Sequence, residues 1–468
     1  MSSNTPLPKA LPTKLAIVAV LALVLLIPLA MVKDLVEERQ TRRDEAVAEV
    51  GSIWGKPQVI TGPILAVPYR FTEISRRRQG GVESEVVTEE QAFAYFLPDT
   101  LTIKGTLVPE RRYRGLYGVM VYSLPDLVVS GRFAPPDFAL LDVPPEAALW
   151  GQAMLLVRIP DTRGLQSGVA LDWGGKRVAF RPGTGGSELG SEGIHAPLAL
   201  NREGGGDGTE FSFTLSLRGS SELSLTALGE SVTAELDSTW PHPSFDGAFL
   251  PNQRQIASDG FSAGWMISRF GTSLPQAFTR RGVPNQDAWN AARFGLRLFV
   301  PVDSYQRSLR AVKYGFLFIG LTFLAFLLFE VLGGLSIHPH QYLMVGAALC
   351  LFFLLFVALS EHIGVLPGYL LAGAAVVGLI TSYSATVLRT RKRAGIVMVK
   401  LTVLYGLLLV LLTNEDYALL LGSVALFAVL AAVMFLTRRI DWSLGSAKRE
   451  SESDEPSEVP GPASGADA

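Results

Sequence analysis

The sequence predicts a membrane protein with one N-terminal transmembrane helix, a large, mainly β extracytoplasmic domain, and a C-terminal bundle of five transmembrane helices. Three observations carry that expectation. Apolar residues gather at the two ends of the chain and lift the mean hydropathy to +0.31. The polar middle alternates apolar and polar side chains with a two-residue period. The 41 basic and 43 acidic residues of this 468-residue chain leave a net charge of only −2, which offers no basic footprint for nucleic acid. The single cysteine, Cys350, excludes an internal disulfide and a zinc or iron–sulfur site built from cysteines.

The first element is residues 15–32, LAIVAVLALVLLIPLAMV, uncharged and about long enough to cross a hydrocarbon core of roughly 30 Å. A cleavable signal peptide has a shorter apolar region and a small-x-small cleavage site, which Pro28, Leu29 and Ala30 supply poorly. The stretch is therefore expected to be an uncleaved anchor, preceded by a cytoplasmic N-terminus, residues 1–14. Beyond it, Ala46, Val47, Val50, Ile53 and Trp54 share one helical face and Glu38 stands four residues before Arg42, so the helix is expected to continue into water.

Residues 33–311 form the expected β domain, periplasmic in a Gram-negative organism. Phe211, Phe213, Leu215 and Leu217 alternate with Ser212, Thr214 and Ser216, and the period returns in 223–226 and 232–236. Further strands are expected at 64–67, 101–107, 116–122 and 154–159. Gly62-Pro63, Pro135-Pro136 and Gly174-Gly175 read as turns, consistent with an antiparallel sandwich or barrel. The glycine-rich stretches 183–193 and 204–208 read as flexible loops, since neither has the lysine and flanking elements of a phosphate loop. Six of the seven tryptophans lie in this domain, where scattered tryptophans read as core rather than as a sugar platform.

Five apolar stretches follow, at about 312–332, 341–359, 365–386, 395–413 and 416–436, each long enough to span. They make up a bundle domain over residues 312–436, and an even total of six spans puts both termini on one side. Basic residues near span ends mark that side as cytoplasmic: Lys9 and Lys14; Arg389, Arg391, Lys392 and Arg393; and Arg438, Arg439, Lys448 and Arg449. Arg307, Arg310 and Lys313 are discordant, as expected where a long translocated domain precedes them. The tail 437–468, rich in Ser, Glu, Pro and Gly, is expected to be cytoplasmic and disordered. Gly364 with Gly368, and Ala374 with Gly378, have the small-x-x-x-small spacing of close helix packing.

Signals for chemistry are weak. Gly260 to Gly264 (GFSAG) has the spelling of a nucleophile elbow around Ser262, but no histidine follows before the second span; a small residue in a turn is the plainer reading. His195 and His242 sit alone in loop-like sequence, His338 and His340 fall on the side opposite His362, and no H-E-x-x-H occurs. No catalytic residue, cofactor or metal is therefore expected. The candidate functional residues are the polar groups of the bundle: Glu330, Glu361 and His362. An ionisable residue within a span is a functional candidate by default, although the two carboxylates lie near helix ends, where interfacial anchoring competes with proton or substrate handling. Lys400, early in the fifth span, can snorkel.

The order of parts and several segments resemble the CreD family of bacterial inner-membrane proteins. The segments are Pro301 to Gly315 (PVDSYQRSLRAVKYG), Leu317 to Phe323 (LFIGLTF), Phe329-Glu330, Ile337 to Pro339, Gln341 to Leu343 and Leu359 to Gly364 (LSEHIG). In the β domain they are Gly62 to Tyr69 (GPILAVPY), Arg111 to Tyr117 (RRYRGLY) and Phe245 to Pro251 (FDGAFLP). The resemblance spans most of residues 10–440 and implies an inner-membrane protein of cell-envelope integrity and of the response to β-lactams and other envelope stress. It implies no catalytic activity. The expected role is a non-enzymatic binding or coupling module whose partners are the lipid bilayer and an envelope component or protein. The alternatives are a transporter or flippase-like protein and a direct sensor.

Overall fold

The computed structural model describes residues 11–79, 82–201, 208–298, 304–333, 337–387, 390–414 and 417–438. Residues 439–468 of the expected tail, residues 204–207 and the basic residues Lys9, Arg389, Arg439, Lys448 and Arg449 lie outside them. The chain divides into two compact units, a helical one combining Met1–Thr41 with Val302–Ala468 and a β one, Arg42–Pro301.

Helix α1, Leu11–Trp54, is 44 residues long, more than twice the roughly 20 residues a bilayer requires. Its residues to Thr41 belong to the helical unit and the remainder to the β unit. Among the described residues the β unit has two sheets. The first contains β1 (Gln58–Gln79), β2 (Val82–Phe96), β5 (Ala153–Arg158), β8 (Arg181–Pro182), β9 (Ile194–Leu198), β11 (Glu222–Thr226), β13 (Pro243–Gly247), β16 (Ala277–Thr279) and β17 (Arg293–Leu298). The second contains β3 (Thr100–Arg114), β4 (Tyr117–Phe133), β6 (Ala170–Trp173), β7 (Lys176–Ala179), β10 (Thr209–Ser220), β12 (Ser231–Ser238), β14 (Gln253–Ala257) and β15 (Gly260–Ser268). Pairing is antiparallel except where β1 lies parallel to β11 and β12 parallel to β3. Among the described residues the α-helix set among these strands is short, α2 (Gln286–Ala291).

The alternation in the sequence has its structural cause in a shared core. On β10, Phe211, Phe213, Leu215 and Leu217 are buried while Glu210, Ser212 and Thr214 face out, the pleat sending successive side chains to opposite faces. Central strand β5, between β1 and β9, is buried along Ala153–Val157, as a strand covered on both faces should be. Trp265, about 1% exposed, packs against Phe245 and Phe294, and burial of a ring of that size stabilises by about 2–3 kcal/mol. Trp173 and Trp289 are buried too, so these tryptophans fill core.

Three local readings are corrected. Gly62-Pro63 is no turn but lies inside β1, at a register shift between Thr61 and Ile64. The GFSAG segment runs as strand β15 rather than a turn, with Ser262 opposite Asp237 of β12. His195 sits in β9, its ring nitrogen 2.8 Å from the Gly183 carbonyl, where loop-like sequence was expected. Gly183–Gly193 is a loop, but one closed by the Gly183 N–H on the Gly193 carbonyl at 2.8 Å and anchored by buried Thr184, Ser187 and Leu189.

The helical unit adds α3 (Ser304–Lys313), α4 (Gly315–Gly333), α5 (Pro339–Ile363), α6 (Val365–Val387), α7 (Arg391–Thr413) and α8 (Ala418–Thr437). Among the described residues six helical segments are long and apolar enough to cross a membrane. The discordant bases lie on helix α3, which is amphipathic and buries Tyr305, Ser308, Ala311 and Val312 while Lys313 is exposed. Gly368 lets α6 approach α5, since a Cβ there would lie 2.8 Å from the Ser360 nitrogen. The expected packing at Ala374 and Gly378 is absent; both are exposed and a Cβ on Gly378 would meet nothing within 4 Å. Helix α1 seats at glycines instead, with Leu25 against Gly346 and Leu29 against Gly315.

Candidate functional site

The expected carboxylates fall into two clusters of one design. Glu330, near the C-terminal end of α4, is about 6% exposed and pairs with Lys14 in the first turns of α1. The Tyr342 hydroxyl, one turn into α5, donates to its second oxygen at 3.3 Å. Glu361, at the C-terminal end of α5, accepts from the Tyr305 hydroxyl of α3 at 3.0 Å and lies 4.0 Å from Arg39 of α1. Each carboxylate therefore takes one cation from α1 and one phenol from the rest of the unit.

The directions of α1, α4 and α5 require the two clusters to be at opposite ends: α5 begins beside Tyr342 and ends at Glu361, 19 residues later. A carboxylate sealed in a low-dielectric interior is costly unless paired and hydrogen-bonded, and each cluster meets that requirement with one charge-assisted contact and one hydroxyl. Chemically each cluster is a polar contact that joins α1 to the rest of the helical unit. Neither carboxylate stands beside a nucleophile, and the third candidate, His362, is exposed and separate from Glu330. A cleft of about 610 Å³ between α4, α7 and α8, lined by Phe318, Leu404, Leu426 and Lys400, includes none of the three candidates.

Lys14, Arg39, Tyr305 and Tyr342 complete the clusters and were not legible as site residues. The Lys14–Glu330 pair is 316 positions apart in sequence, and a span-end lysine reads only as a topology marker. Elsewhere, Ser262 is exposed in mid-strand, without the strand–turn–helix geometry of an elbow. Among the described residues no group of three or more His, Cys, Asp or Glu side chains could hold a metal ion.

The β unit has its own polar anchors. Trp54, at the end of α1, lies between the guanidiniums of Arg112 and Arg218, each 4.3 Å from its ring, and donates its indole N–H to the Tyr122 carbonyl at 3.3 Å. Asp161 accepts from the Lys56 N–H at 3.2 Å and from Arg163 Nε at 2.9 Å. Burial alone would raise this carboxyl, but the Arg163 side chain and the backbone N–H donors outweigh it and hold it below the usual carboxylate range. Burial, reinforced by the Glu188 carboxylate that its hydroxyl contacts, pushes the Tyr95 phenol far above its ordinary value.

A sequence model described as "Inner membrane protein CreD" matches residues 10–443. The chain is 34% identical over 424 residues to the inner membrane protein CreD of Escherichia coli (strain K12), covering 90% of this chain and 91% of that protein. Solved structures of an M1 zinc metallopeptidase from Deinococcus radiodurans are 11–12% identical, with TM-scores of 0.19 and 0.17, the first covering 43% of this chain and 42% of that one. Scores that low carry no argument about fold or function.

Proposed function

Since the chain belongs to the CreD family of inner membrane proteins, we propose that it supports cell-envelope integrity and the response to envelope stress, β-lactams included, as a non-enzymatic binding and coupling module. In this reading the β domain is periplasmic and engages an envelope component or protein, both termini are cytoplasmic, and the helical unit does more than anchor. The observation that carries it is the doubly clamped α1. The helix whose last turns belong to the β unit pairs, at the two ends of its other part, with the buried Glu330 and the partly buried Glu361. A plain anchor in lipid has no need of a buried carboxylate paired with it at one end and a second, partly buried ion pair at the other.

Transport is the second reading, and the separation of Glu330 from Glu361 and His362 weighs against a shared path through them. The test is rescue of detergent and β-lactam sensitivity in cells lacking the protein, by the full chain or by residues 1–306 with export verified. Coupling requires that only the full chain rescues. Rescue by 1–306 would reduce the bundle to a dispensable part and sink both coupling and transport.

A further inference from the structure

At the edge of the β unit a cavity of about 210 Å³ opens between β1, the end of β5, the Gly183–Gly193 loop and α2. Its walls include Thr61, Arg158, Glu192, Thr226, Trp289 and Arg293. The placement of Arg158 is enforced by the backbone on both sides of β5. A Cβ on Gly62 would lie 2.9 Å from the Leu156 carbonyl oxygen, and one on Gly193 would lie 2.3 Å from that of Val157. Both glycines also have positive φ, 151° and 145°, which other residues rarely adopt.

Arg158 is half-buried, and its Nε is a fully enclosed donor with no hydrogen-bond partner among the described residues. Buried guanidinium N–H groups are almost always satisfied; this one is sealed off, so an acceptor in the cavity that Arg158 lines would meet the terminal nitrogens of the same guanidinium. Arg293 is already engaged, by Glu222 at 3.1 Å and Ser224 at 3.3 Å. The Thr61 and Thr226 hydroxyls, 2.8 Å apart, share one hydrogen between them and leave the other for a ligand. Glu192, exposed at the rim, acts on Arg158 through space.

The formal charges of Arg158, Arg293, Glu192 and Glu222 cancel. A cavity with one free base, one free acid and no net charge suits neither a phosphate dianion nor a lone cation. At roughly 30 Å³ per water its volume holds about seven waters, the size of a small amino acid or dipeptide. We propose that this cavity binds a small zwitterion of the amino-acid or short-peptide class, with its carboxylate on Arg158 and its ammonium at Glu192. The proposal is independent of the clamp on α1.

The test is calorimetric titration of the full chain in detergent with alanyl-alanine, its N-acetylated form, acetate and inorganic phosphate. Alanyl-alanine should bind, with at least tenfold loss on N-acetylation and at least tenfold loss in Arg158→Gln. Glu192→Gln, an exposed change that leaves the core untouched, should bring the free and acetylated dipeptides to equal affinity, with unchanged melting as the check on folding. No heat from alanyl-alanine at millimolar concentration, equal binding of the acetylated form to the unaltered chain, tighter binding of phosphate, or indifference to Arg158→Gln would each overturn it.

Discussion

Asp161 and Glu330 face the same physical problem with different surroundings. Each is a carboxylate about 5–6% exposed, and each is stable only through the donors aimed at it. For Asp161 the sign of the pH dependence follows. Its folded-state pKa lies below the unfolded value, so its contribution is fully present above the ordinary carboxylate range and is lost as pH falls through the lowered folded value. Asp161→Asn should therefore destabilise the chain at neutral pH by about 1–2 kcal/mol, with the Lys56 N–H and Arg163 less well satisfied. The difference from the unaltered protein should shrink as pH drops below about 4. Thermal unfolding followed by circular dichroism at pH 7 and pH 3.5 checks it; a gap that widens in acid would refute the assignment.

Between elements, the decisive contacts are made by glycine. Helix α1 is uncharged and apolar all round over 15–32, so no amphipathic face selects its partner. Shape selects it: Leu25 and Leu29 fill the notches at Gly346 and Gly315, the close approach that small residues permit in a bilayer, where apolar burial gives no preference. Gly346→Leu should cost about 1–3 kcal/mol through overpacking against Leu25 and Phe323. Gly378→Leu, with nothing within 4 Å of its Cβ position, should stay within about 0.5 kcal/mol. Unfolding of both variants in the same detergent makes the comparison, and equal losses would show that the seat does not matter.

Element identity was largely legible for a related reason. The helical segments announce themselves by length and apolarity, and α5 and α6 fall within a few residues of 341–359 and 365–386. Strands β3, β10 and β12 announce themselves by alternation, which one buried face imposes, and β5 by a short continuous apolar run. Pairing was not legible, because the parallel match of Gln58 with Leu223 and of Leu101 with Val232 leaves no local trace. Nor was the difference between a turn and a strand interior at Gly62-Pro63 and GFSAG, since glycine permits both. Of the candidate site, Glu330 and Glu361 were visible as ionisable groups in apolar sequence. Their cations on α1 were not, because the pairing exists only once the bundle has assembled.

For the molecule as a whole, α1 is the shared element of the two units, paired through Lys14–Glu330 at one end of the bundle and Arg39–Glu361 at the other. If the clamp supports the envelope role, function should follow the pairing and not the identity of either residue. A charge swap separates the two, since reversing one member leaves like charges buried together and reversing both restores attraction. The measurement is rescue of detergent and β-lactam sensitivity by full-length Glu330→Lys and by the double variant Lys14→Glu with Glu330→Lys, at matched membrane levels. The single variant should fail and the double variant should restore resistance. Rescue by the single variant as complete as by the unaltered chain would contradict this.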